Sequence, residues 1–156
     1  MFVRWPRPLF YVVITLAILL DQVTKAWASS TLKVIPVSII PGFFNLTYVE
    51  NRGIAFGMFA HHGLLVGLFV VGLALVALYY ARGMNWASLE PNIVGGCLCG
   101  GALGNLLDRF RLGYVVDFFH VYRYSWNFDW PVFNVADSLI CLSVGWIVLR
   151  QLTSKN

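Results

Sequence analysis

The stretch FNVADSLICLSVGWIVL, residues 133–149, is apolar and long enough to enter a bilayer, yet it carries a carboxylate, Asp137, at its mouth. A carboxylate at the centre of a membrane helix costs about 2.5 to 3.5 kcal/mol on insertion scales, and an unpaired one near the interface is also disfavoured. One reading is local. Asn134 with an acid three residues on resembles a capping box, which closes the start of a helix by reciprocal hydrogen bonds. The other reading is that Asp137 meets a partner from elsewhere in the chain.

The rest of the chain has the same character. It has 156 residues, 59% hydrophobic, 16% aromatic and 12% charged, with a mean hydropathy of +0.73. Soluble domains carry about 25% charged residues, so these values describe an integral membrane protein of one domain, residues 1–156. The net charge of +4 does not point to nucleic acid, because Lys and Arg are scattered among apolar segments and form no basic face. Cys97, Cys99 and Cys141 lie inside apolar runs, an odd number with no CxxC pair. They indicate neither a disulfide framework nor a zinc site.

Four apolar helices are expected, near 9–28, 64–82, 92–110 and 134–152, with outer segments at 29–63 and 111–133. The first, LFYVVITLAILLDQVTKAW, could be taken for a secretory signal ending at Ala28, but Asp21, Gln22 and Lys25 interrupt the approach to that site and more membrane segments follow. The second, LLVGLFVVGLALVALYYA from Leu64 to Ala81, carries no charge. The third contains GGCLCGGALGN, small residues that let helix backbones approach closely in a membrane. Between the first two, KVIPVSIIPGFFNLTYVENRGIAFGMFA reads as short strands and turns. The other outer stretch, YVVDFFHVYRYSWNFDWPVF, reads as an aromatic loop resting on the membrane surface.

Even-numbered spans put both termini on one side, with Arg4, Arg7, Arg82, Arg150 and Lys155. The other side has Lys25, Lys33, Arg52, Arg109, Arg111 and Arg123, so the positive-inside rule does not decide the orientation. The acids do divide: Glu90 falls with the termini, and Asp21, Glu50, Asp108, Asp117, Asp129 and Asp137 all fall opposite. That collection reads as a polar site.

Asp21 and Lys25 stand one turn apart, either as an ion pair easing the end of a membrane helix or as a brace for a neighbouring site. Asn105, Asp108 and Arg109 share one helix face, either as a terminus exchanging hydrogen bonds or as an amide and a guanidinium able to hold a peptide backbone. Asp117, in VVDFF, has apolar and aromatic neighbours and no cation within two positions. Such surroundings raise a carboxyl pKa, a condition that recurs in active sites. Two carboxylates in a partly dry site share a proton, and a pair of this kind can cut an amide with water. Spacing permits Asp117 and Asp137 to meet if residues 118–136 fold back. There is no HExxH, no ligand spacing among His61, His62, His120 and the cysteines, and no nucleophile motif around Ser138 or Ser143.

Five pieces stand in order: DQVTK from Asp21, NRGIAFG from Asn51, GGALGNLLDR from Gly100, VVDF from Val115 and FNVAD from Phe133. Together they resemble the motif set of lipoprotein signal peptidase, or signal peptidase II, a bacterial inner-membrane aspartyl protease. The resemblance covers essentially the whole chain. It implies four transmembrane helices with a small periplasmic β-rich segment and an aromatic periplasmic loop, both termini cytoplasmic, and an active site near the periplasmic surface. It implies removal of the signal peptide from diacylglyceryl-modified prolipoproteins, by cutting before the lipidated cysteine, and sensitivity to globomycin-type cyclic peptides.

Carried onto this chain, Asp117 and Asp137 would be the catalytic pair. Asn51, Gly53, Asn105, Arg109 and Asn134 would hold substrate, and Asp21, Lys25 and Asp108 would support the site, with no metal or organic cofactor. Phe118, Phe119, Trp126 and Trp130 would clamp the substrate or anchor the loop at the interface. The alternative is a small membrane transporter or cation-binding protein, which should need acids near the bilayer midplane, whereas here they lie near segment ends.

Overall fold

The computed structural model describes residues 7–53 and 85–153. The expected span 64–82 lies outside these residues, as does 54–63 of the first outer segment. Among the described residues the order is α1 (Pro8–Thr31), β1 (Val37–Ile40), β2 (Phe44–Asn51), α2 (Leu89–Leu112), β3 (Val115–Arg123), a 3-10 turn (Tyr124–Trp126), β4 (Phe128–Asp129) and α3 (Val135–Thr153).

Among the described residues two helices, α1 and α3, are long and apolar enough to cross a membrane. They turn Leu16, Leu20, Val23, Leu142, Val148 and Leu152 outward, side chains that find an apolar surrounding only in lipid. The inner helix, α2, packs against both. Its glycines make that possible. A Cβ on Gly96 would lie 2.7 Å from Val13 and one on Gly100 2.5 Å from Ala17, both on α1, while one on Gly101 would lie 2.7 Å from the Ala136 carbonyl on α3. The helix ends at Gly113, whose left-handed φ of 79° suits glycine.

The helices outrun the expected limits. α1 begins at Pro8, where proline's fixed φ suits the first turn, and continues to Thr31, so Asp21 lies ten residues before its end. The expectation that every acid sits near a segment end is therefore corrected for Asp21. Its cost is met by burial against polar partners, so the helix need not stop there. α2 starts at Leu89 and ends at Leu112, beyond the expected 92–110 at both ends. In α3, Asn134 is the residue before the first helical one.

Four strands form one antiparallel sheet in the order β1-β2-β3-β4. The outer segment 111–133, expected as an aromatic loop, is largely the β3–β4 hairpin. Its Val, Phe and Tyr residues fit a pleated, half-buried surface as well as an interfacial belt, and here pairing wins. One extra residue in β2 bulges the ladder between the pairs Leu46–Phe119 and Val49–Asp117. Beyond β4 the chain returns along β3, with the Phe119 and Phe133 backbones exchanging hydrogen bonds of 2.7 and 3.0 Å. That return places residues 134–137 beside Asp117. Under the sheet, Ala28 and Leu32 at the end of α1 form a core with Val116 and Phe118.

Candidate active site

Asp117 sits on β3 and is almost fully buried. Its Oδ2 accepts from Asn51 Nδ2 at 2.8 Å, and its Oδ1 accepts from Asn134 Nδ2 at 2.6 Å. Asn51 is paired with Val115 and reaches diagonally across the ladder. Burial chiefly, and next the charge of Asp137, push the Asp117 carboxyl from its ordinary 3.8 up to about 7; the amides of Asn51 and Asn134 pull the other way.

Asp137 is in the first turn of α3, half-buried. Its Oδ1 accepts from Asn105 Nδ2 at 2.8 Å, and its Oδ2 accepts from the Asn134 backbone N–H at 3.2 Å. The Asp137 N–H in turn donates to Asn134 Oδ1 at 2.9 Å. This is the reciprocal capping box expected from the residues. The same Asn134 side chain that caps α3 with its oxygen grips Asp117 with its nitrogen.

Arg109 and Gly53 are joined directly: Arg109 Nη2 donates to the Gly53 carbonyl at 2.6 Å, and the Gly53 N–H donates to Asn51 Oδ1 at 3.0 Å. The NRG turn is thus tied to α2 at one end and to Asp117 at the other. Behind these groups, Lys25 pairs with Asp21 at 2.9 Å and Asp108 at 3.1 Å, all three buried. The ion pair expected between Asp21 and Lys25 is present, but it faces α2 in the body of α1 and does not ease the end of the helix.

All ten residues singled out in the sequence therefore belong to one hydrogen-bonded system, with Arg109 and Gly53 at its edge. Gln22 belongs to it and was not foreseen. Its Nε2 donates to Asp108 Oδ1 at 2.9 Å, and its Oε1 accepts from Arg111 Nη1 at 3.2 Å; an amide beside Asp21 in DQVTK was the available signal. Phe118 corrects an expectation in the other direction. Only 1% exposed, it belongs to the core under the sheet and can clamp nothing at the surface, whereas Trp126 and Trp130 are exposed.

The fold and its polar centre define an integral membrane enzyme. A solved bacterial membrane enzyme superposes with a TM-score of 0.82 at 26% identity, covering 100% of this chain and 94% of that one. A second superposes with a TM-score of 0.75 at 28% identity, covering 92% of each. The family described as Signal peptidase (SPase) II matches residues 13–153. The lipoprotein signal peptidase of Syntrophotalea carbinolica is 39% identical over 143 residues, covering 88% of this chain and 86% of that one. That of Syntrophus aciditrophicus is 40% identical, covering 97% and 96%. The chain belongs to the signal peptidase II family, and is a transmembrane protease.

Proposed function

We propose that this protease is an aspartyl endopeptidase of the bacterial inner membrane that removes the signal peptide from diacylglyceryl-modified prolipoproteins, cutting before the lipidated cysteine. The observation that carries the reading is that Asn134 links two carboxylates from different elements, one of them pushed up to about 7. Near neutral pH such a pair holds one proton between its members. The ionised carboxylate takes a proton from water, whose oxygen attacks the scissile carbonyl carbon. The protonated partner hydrogen-bonds the carbonyl oxygen and then supplies its proton to the leaving nitrogen as the C–N bond breaks.

In this reading Asn51, Gly53, Asn105, Arg109 and Asn134 hold the substrate backbone, and their polar atoms exchange present partners for peptide groups. Arg109 on the Gly53 carbonyl is the clearest instance. The chain forms one domain, 1–156, with four spans, both termini cytoplasmic and the site at the periplasmic surface beneath the sheet. A globomycin-type cyclic peptide competes for the same backbone donors, and the hydrolysis needs no metal or cofactor.

The test is cleavage of a lipid-modified prolipoprotein by the purified protein in detergent, comparing wild type with Asp117→Asn and Asp137→Asn. Both variants are expected to bind substrate and to lose cutting. Near wild-type cutting by either refutes the dyad.

A further inference from the structure

The ammonium of Lys25 has three protons and three acceptors: Asp21 Oδ2 at 2.9 Å, Asp108 Oδ2 at 3.1 Å and Asn105 Oδ1 at 2.8 Å. Each acceptor passes the contact on. Asp108 Oδ2 also accepts the backbone N–H of Val116 at 3.1 Å, the residue before Asp117. Asp21 Oδ1 accepts the backbone N–H of Ala136 at 3.1 Å, the residue before Asp137. Asn105 turns its Nδ2 onto Asp137 Oδ1 at 2.8 Å. A lysine ammonium can only donate, so Asn105 must show it oxygen and show Asp137 nitrogen; the cation thereby fixes which way the amide points.

We propose that Lys25 is a positioning residue that sets the separation and aim of Asp117 and Asp137 through these three arms, an inference that rests on the peptidase reading above. Lys25 is 2% exposed, so substrate does not reach it. Its arms end on β3 and on the first turn of α3, which have no continuous backbone between them shorter than the β3–β4 hairpin. Charge neutralisation alone does not account for the pattern, because the two acids touch the backbone on either side of the site and do not merely surround the cation.

The experiment measures kcat, KM and melting temperature of two variants with a lipid-modified prolipoprotein substrate. Lys25→Met/Asp108→Asn keeps the net charge of the cluster, and the amide oxygen it places on α2 can still accept the Val116 N–H. Lys25→Arg keeps the cation, but its planar fork cannot address three acceptors disposed around a tripod. Both are expected to lower kcat at least about ten-fold, given that a misplacement of about 1 Å can cost about a hundred-fold, with KM changing by a smaller factor than kcat. A kcat within about two-fold of wild type in either folded variant overturns the proposal. If the first variant does not fold, Lys25→Arg decides. Asp117→Asn and Asp137→Asn run alongside: inactive aspartate variants with fully active Lys25 variants sink the positioning role alone, while active aspartate variants sink the peptidase reading beneath it.

Discussion

Asn134 does two jobs with one amide, and they can be separated by substitution. Its oxygen caps α3 through the Asp137 N–H, and its nitrogen grips Asp117. Serine caps a helix about as well as asparagine but cannot reach both partners. Asn134→Ser is therefore expected to recover about 1 kcal/mol of stability relative to Asn134→Ala, measured by thermal melting in detergent, while remaining as inactive as the alanine variant. Equal melting temperatures for the two would mean that the cap contributes nothing.

Asp117 carries the pH dependence. Its carboxyl is raised from 3.8 to about 7, so between those values the folded protein holds a proton that the unfolded chain has released. Stability from this group is therefore full below the lower value and falls as pH rises toward 7, the reverse of a salt-bridged aspartate. Asp117→Asn, which cannot ionise, should flatten the decline of melting temperature across that window. Wild-type cleavage should also show an alkaline limb near pH 7, as the shared proton is lost; a profile still rising past pH 8 would argue against Asp117 as the proton carrier.

At the scale of elements, the glycine face of α2 sets how close the site's supports stand. A Cβ on Gly104 would lie 2.5 Å from Asp21 Oδ2, whereas one on Gly145 in α3 would meet none of the described residues within 4 Å. Asp21 has no freedom to yield, because its two oxygens already serve Lys25 and the Ala136 N–H. Gly104→Ala should thus cost about 1 to 3 kcal/mol and most of the activity, while Gly145→Ala should leave melting and cleavage unchanged. Comparable losses in both would show that the helices tolerate or resist added bulk irrespective of contact.

The same scale shows what could be read in the residues and what could not. The three described helices and the polar cluster were legible because apolar runs and intramembrane charges are strong local signals. β3 was not, since VVDFFHVYR has the composition of an interfacial loop and of a strand alike; only its partner, β2, settles the matter. The capping box of Asn134 and Asp137 was legible from their spacing, whereas the Asn134 nitrogen on Asp117 was not, because capping uses the amide oxygen and leaves the nitrogen free for a partner distant in sequence. The Arg109 contact with Gly53 spans 56 residues and ends on a backbone carbonyl, a group every residue carries and no side chain announces.

Across the described molecule, polar fastenings stand both around the site and at the opposite end of the helices. At the end away from the site, Asn92 joins the Arg7 backbone to the Trp86 and Ser88 carbonyls, and Glu90 takes both Arg150 and the Trp146 indole. Midway along α3, Leu142 is 72% exposed. Leu142→Arg should cost about 2.5 to 3.5 kcal/mol on insertion and lower the membrane-integrated fraction. An unaltered fraction would show that this face of α3 looks onto protein or water and not onto lipid.

The β3–β4 hairpin also has a consequence for biosynthesis. Asp117 leaves the ribosome before Asn134 and Asp137, and it is the return of the chain from the hairpin that brings the latter two to it. A nascent chain ending before residue 133 holds Asp117 with Asn51 but without Asn134 or Asp137. On the proposed dyad, hydrolytic competence would therefore arrive only with insertion of the last helix.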